Sequence, residues 1–263
     1  MTDTTEKAPR RILVIDDEEV VHASLRKVLS RLGLAVDAVL TAQDGLDRLA
    51  SERYDLVITD LMMPGMNGIE LLERLQERGT RPPILMVTGY PTIRTAVQAL
   101  RLGAMDYIAK PYTRKELLAP VKRALRLEEE GADTSLHSQR DPPSLADLVA
   151  GDVVALPHHS WARYQQDGTF LVGAEPDFLR AVGQVRGCEW PEEMDIIEQG
   201  YISIRLCSDE GDVHGIAMPL SGQVLEVNKA GLTDPAKLTT DDWLIRLLPS
   251  QLSEELSLLI KKQ

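Results

Sequence analysis

Cysteine and aromatic side chains are scarce in this chain of 263 residues: two cysteines, two phenylalanines, and 4% aromatic overall. Cys188 and Cys207 stand in no metal or redox spacing and are too few for a disulfide framework. They read as small buried or half-buried thiols in a reducing cytosol. Long apolar runs are missing as well, so no membrane span is expected. The first ten residues lack the apolar stretch of a secretory leader, which makes a cytoplasmic protein the expectation. Basic residues are scarce in one half only. Residues 1–127 carry 19 Lys and Arg against 17 Asp and Glu, a net of +2, whereas residues 128–263 carry 10 against 24, a net of −14, making up the −12 of the whole chain. A phosphate backbone would repel that second half, which argues against DNA or RNA as its partner.

What is present begins with alternation. Arg11 to Ile15 is an apolar run that stops at Asp16-Asp17-Glu18, and Val21, Leu25, Val28, Leu29 and Leu32 follow at helical spacing up to Gly33. The same unit recurs four times: strands at Ala35 to Val39, Asp55 to Thr59, Pro83 to Val87 and Met105 to Ala109, each followed by a helical stripe. The last helix spans about Thr113 to Leu127, where Pro120 is expected to kink or loosen it. Five strand–helix repeats imply an α/β fold, a five-stranded parallel doubly wound sheet of flavodoxin-like order 2-1-3-4-5.

The strand ends carry the chemistry. Strand one delivers Asp16 and Asp17, strand three Asp60, strand four Thr88 and strand five Lys110. In the order 2-1-3-4-5 these side chains converge on one edge, where open α/β sheets bind ligands. Three carboxylates so close repel one another unless a hard divalent cation joins them, and Mg²⁺ suits a site of few carboxylates completed by water and phosphate oxygens. Asp60 could then attack a phosphoryl group, with Lys110 and the cation neutralising its oxygens and Thr88 supplying a hydroxyl. Any one of these residues alone has a plain structural reading: a helix cap for Asp16, a solvated charge for Lys110. The set, each member at its own strand end, does not.

Residues 11–127 resemble the receiver domain of two-component response regulators, on Asp16-Asp17, the segment Asp60-Leu-Met-Met-Pro-Gly-Met-Asn-Gly68, Thr88-Gly89, Gly103-Ala-Met-Asp-Tyr107 and Lys110-Pro111. The resemblance implies Asp60 as phosphoacceptor and Asp17 as direct Mg²⁺ ligand. It also implies Asp16 as a ligand through water, the Met62 carbonyl as a further ligand, Thr88 and Tyr107 as the switch pair, and a cis Lys110–Pro111 peptide. It implies a sensor histidine kinase as phosphoryl donor, a protein that is no enzyme beyond its own phosphorylation and dephosphorylation, and self-association through the face of the fourth helix, fifth strand and fifth helix. In such domains the residues two after the phosphoacceptor and two after the switch threonine flank the hydrolysing water. Here they are Met62 and Tyr90, both bulky and without a side-chain amide or carboxylate to orient water, so a long-lived phosphoryl group is expected.

Residues 128–143 are polar, contain Gly131 and the pair Pro142-Pro143, and read as a linker between a first domain of residues 1–127 and a second of residues 144–263. The second half has short alternating runs at Thr169 to Gly173, Tyr201 to Leu206, Ile216 to Leu220, Gln223 to Asn228 and Trp243 to Leu248. A hairpin tip falls at Ser208 to Asp212 and a closing helical stripe at Leu252, Leu256 and Leu259. These features predict a smaller β-rich domain, a folded-over sandwich or flattened barrel. His158 and His159, adjacent and so expected on opposite sides of a strand, are poorly placed to share a metal.

The segments His159-Ser-Trp161-Ala-Arg163, Asp167 to Gly173 and Pro219-Leu-Ser221-Gly222 to Asn228 resemble the H protein of the glycine cleavage system, a lipoyl-domain relative of barrel-sandwich-hybrid fold, over about residues 156–260. That family carries lipoate on a lysine at the tip of the hairpin before the Pro-x-Ser-Gly strand. Here the tip is Ser208 to Asp212, and the lysines of this half, Lys229, Lys237, Lys261 and Lys262, are elsewhere. No lipoate is expected; the acids Asp209, Glu210 and Asp212 make either a solvated turn or a docking knob for a basic partner. The expected function is a phosphorelay response regulator with a non-lipoylated H-like output domain for an unknown protein partner. The alternative is a phosphorylation-regulated carrier or adaptor in lipoate-type metabolism.

Overall fold

A computed structural model describes residues 9–78, 82–129, 143–228 and 242–262. Most of the expected linker, together with Lys229 and Lys237, lies outside the described residues.

The first half alternates strand and helix throughout. β1 (Arg11–Ile15) leads to α1 (Glu19–Leu29), β2 (Ala35–Val39) to α2 (Ala42–Ser51), and β3 (Leu56–Thr59) to α3 (Gly68–Glu77). β4 (Ile84–Thr88), α4 (Ile93–Arg101), β5 (Asp106–Ala109) and α5 (Arg114–Glu129) complete it. The strands pair in parallel in the order β2-β1-β3-β4-β5. Both faces are buried because the strands are apolar on both sides. Ile12, Val14, Leu56, Ile58, Leu85 and Val87 pack toward α1 and α5, and Leu13, Ile15, Val57, Ile84 and Met86 pack toward α2 and α3. Local signals set the helix starts. Asn67 and Glu70 close a capping box on α3, and the Thr41 hydroxyl accepts from the Asp44 amide at the start of α2.

α5 runs for 16 residues with Pro120 inside it, so the proline does not end the helix. Pro120 removes one rung of the ladder, but Leu117, Leu118 and Val121 around it are packed into the core and keep the segment helical.

The second half builds two antiparallel layers. β6 (Val153–Leu156), β7 (Ser160–Tyr164), β8 (Phe170–Ala174), β9 (Val185–Glu189) and β10 (Ile196–Ile197) precede β11 (Ile202–Ser208) and β12 (Val213–Ala217), with the short α6 (Pro176–Val182) after β8. β13 (Gly222–Val227), β14 (Ile245–Pro249), α7 (Leu252–Glu255) and β15 (Ile260–Lys261) follow. One sheet has the order β10-β13-β14-β8-β7-β6-β15 and the other β12-β11-β9. Phe170, Val172, Ile204, Leu206, Ile216 and Val224 fill the space between them.

Two expectations change here. The closing helix is one α turn and one 3-10 turn, after which the chain extends, and Ile260 pairs with Ala155 at the sheet edge. Leu256 and Leu259 are buried as the stripe implied, but edge pairing takes the residues a longer helix would need. His158 and His159 do not sit in a strand. They occupy the turn between β6 and β7, with His158 at φ 61°.

The halves pack closely. Val97 and Leu100 of α4 belong to the core of the second half, and Ala181 of α6 belongs to that of the first. Helices α4 and α5, part of the face through which self-association was expected, contact the chain's own second half.

Candidate functional site

The parallel sheet delivers its acids as the register demands. β1 and β3 are neighbours, and the Asp60 amide donates to the Ile15 carbonyl at 2.9 Å, so Asp16 and Asp60 leave the sheet side by side. Lys110 leaves β5 beyond β4, its amide bonded to the Thr88 carbonyl at 2.7 Å. Its ammonium crosses back to donate to Asp16 at 2.8 Å and to Asp60 at 2.9 Å. Burial alone would lower the Lys110 pKa, but those two carboxylates outweigh it and hold the ammonium above its ordinary value.

Asp16 and Asp60 are buried and Asp17 is exposed, and one oxygen from each lies within 4.8 Å of the others. One ammonium against three carboxylates leaves the edge with excess negative charge, and the donors are all oxygen. That set fits a hard divalent cation such as Mg²⁺, with Asp17 on the solvent side.

The surrounding backbone is shaped to the same end. The Met62 amide donates to the Asp60 carboxylate at 3.2 Å, and the Glu18 amide to Asp16 at 3.0 Å. A Cβ at Gly68 would run into the Asp60 carbonyl, so the loop after β3 folds back only with glycine there. Lys110–Pro111 is cis. Thr88 is fully buried, and its hydroxyl accepts from the Tyr90 amide at 3.2 Å. Tyr107 is half-buried, its hydroxyl 2.9 Å from that of Thr95 on α4; burial pushes its pKa up. Met62 and Tyr90 flank the edge with exposed side chains.

Sequence reasoning missed two supports. The buried His22 imidazole donates to the Asp16 carbonyl at 2.7 Å and so steadies the acidic loop; its place on the inward stripe of α1 with Leu25 and Leu29 was the available signal. Thr95 as the tyrosine's partner had none, since the contact depends on how α4 lies against β5. His158 pairs with Asp177 at 2.7 Å; burial raises the Asp177 carboxyl, but His158, the Phe178 amide and Arg180 together hold it down at about 2. His159 packs on Phe178, and neither histidine belongs to a metal cluster among the described residues.

The family model of the response regulator receiver domain matches residues 12–122, and that of the glycine cleavage H-protein matches residues 154–263. The alkaline phosphatase synthesis transcriptional regulatory protein PhoP of Bacillus subtilis is 33% identical over 178 residues, covering 68% of this chain and 73% of PhoP. The chain belongs to the response regulators. Transcriptional regulatory protein QseB of Escherichia coli O157:H7 is 34% identical over 149 residues, 56% of this chain and 68% of QseB. This response regulator spans 56% of the length of response regulator MprA of Mycolicibacterium vanbaalenii, with 40% identity over 129 residues. Among solved structures, a CheY-like receiver domain protein from Methanospirillum hungatei is 33% identical and covers 48% of this chain and 100% of its own, with a TM-score of 0.45. The regulator therefore joins a receiver to an H-protein-like domain. Among its described residues no helix is long and apolar enough to cross a membrane.

Proposed function

We propose that this response regulator accepts a phosphoryl group on Asp60 from the histidine of a sensor kinase and transmits the change to its H-like domain. One observation supports the reading above the others: the single ammonium of Lys110 bridges the two buried acids, Asp16 and Asp60, from a strand on the far side of β4. In the transfer an Asp60 carboxylate oxygen forms a bond to phosphorus while the P–N bond breaks. Its electron pair leaves with the donor imidazole, which ends neutral once it carries a proton on that nitrogen. Lys110 neutralises the oxygens of the moving group, and Thr88 donates its hydroxyl to the product acyl phosphate. Asp16, Asp17, Asp60 and the Met62 carbonyl would hold a Mg²⁺ ion, which when bound would add to the neutralisation of the phosphoryl oxygens.

The new dianion shifts Thr88 and Tyr107, and the tyrosine's bond to Thr95 carries that shift into α4. The organisation is a receiver of residues 1–127, a linker of residues 128–143 and an H-like domain of residues 144–263. That last domain carries no lipoate and acts by contact with another protein, so the regulator works as a switch and not as a metabolic enzyme, in the cytoplasm. Asp60→Asn abolishes labelling by radiolabelled acetyl phosphate while leaving the far-ultraviolet circular dichroism unchanged; retained label removes Asp60 from the role.

A further inference from the structure

α5 is amphipathic in an unusual way. Its inward stripe, Leu117, Leu118, Val121, Ala124 and Leu125, packs on the sheet. Its outward stripe is cationic, with Lys122, Arg123 and Arg126 at i, i+1 and i+4, and that stripe faces the H-like domain.

Each cation has a partner there. Lys122 donates to Asp212 at 2.6 Å and lies 3.6 Å from Glu210. Arg126 pairs with Glu210 and donates to the Ala181 carbonyl at 3.1 Å, at the C-terminal end of α6 where a cation is favoured. Arg123, 1% exposed, lays its guanidinium 4.5 Å above the Phe178 ring and reaches back to Asp106 at 2.5 Å. The acidic tip Ser208 to Asp212, where the family's carrier lysine would stand, is therefore engaged with α5.

This seam is not finished as a permanent core is. Of the five buried side-chain nitrogens without a hydrogen-bond partner among the described residues, four lie in it: both ring nitrogens of His159, Nδ1 of His214 and Nε of Arg123. His159 comes no closer than 3.8 Å to Asp106. Each such atom carries an uncompensated desolvation cost that water would relieve on opening.

We propose that the acidic hairpin tip, the Phe178 ring and the C-terminal carbonyls of α6 form a docking site for a basic amphipathic helix, occupied here by α5 and, once freed, by a helix of a partner protein with the same Lys-Arg-x-x-Arg spacing. Charge complementarity selects this occupant. The H-like half is strongly acidic, and the tip presents its acids over an aromatic floor to cations one helical turn apart. The inference rests on the receiver reading only for the signal that frees the site.

Charge reversal frees the site without Asp60, so the two readings fail separately. In the full chain, Lys122→Glu with Arg126→Glu expels α5. Binding is then read by fluorescence anisotropy with a labelled synthetic peptide of sequence Tyr112 to Glu129. The opened chain binds this peptide at least about tenfold more tightly than the wild type, the ratio that ~1.4 kcal/mol makes. Adding Glu210→Lys and Asp212→Lys restores the pairs in reverse, recloses the chain by small-angle scattering and abolishes peptide binding. A double variant as compact as the wild type overturns the occupancy. An expanded one that ignores the peptide overturns the helix site, and a quadruple variant that stays open overturns the pairing of tip with helix. Unchanged labelling at Asp60 in all these chains shows that the receiver is intact.

Discussion

The acidic edge of the parallel sheet and the seam between the domains are both buried and charged, yet they are satisfied to opposite degrees. At the edge, Asp16 and Asp60 each receive a backbone amide and the same ammonium, and even the Asp16 carbonyl is taken by His22. At the seam, Arg123 and two histidines are enclosed with nitrogens unpaired. A network with its members held is preorganised for chemistry that must not wait for reorganisation. A network with loose ends gains from water, and so suits a contact that must part.

The sharpest way to break the first half of this contrast, after loss of Asp60 itself, is Lys110→Ala. It strips the shared cation from two buried acids, and phosphorylation by acetyl phosphate falls by a factor on the order of 100. A rate within about twofold of wild type would show that the ammonium is structural only.

Acid tests the second half. Burial pushes His159 and His214 down to about 4, against about 6.5 for a solvated imidazole. Asp106 and Asp177 raise His159 while Arg123 and His158 lower it; Asp212 and Asp106 raise His214 while Arg123 and Arg126 lower it. A group depressed in the closed state favours closure fully above its open-state pKa and withdraws that support as pH falls through the window from about 6.5 to about 4. Scattering should therefore record expansion on acidification, at a pH where the Asp60 site still labels, and His159→Leu should move the transition to lower pH.

The smallest effect concerns the rim of the edge. With Met62 and Tyr90 offering no amide or carboxylate to orient water, the acyl phosphate should persist for minutes. Met62→Glu should shorten that several-fold in a radiolabel chase, and decay within seconds in the wild type would reverse the assignment.

How much was legible depended on range. The receiver's strands could be read because apolar runs ending on Asp16, Asp60 and Lys110 are local, and parallel order places strand ends together wherever helices cross over. The second half was read less completely. β6, β7 and α6 were not anticipated, because Trp161 and Phe178 earn their burial from partners distant in sequence. The His158–His159 turn was taken for strand, since the enrichment of histidine at positive φ is too weak a local mark to place a turn there.

The amino-acid order alone determined the acidic edge, the absent carrier lysine and the lopsided charge, since each follows from residue type at a strand end, a hairpin tip or a composition. Tertiary structure decided what the acidic tip faces, that α5 continues past Pro120, and that Arg123 is buried. Those depend on two domains meeting across more than fifty residues of chain, and the energy of such a contact lies in the fit between surfaces that no local pattern encodes.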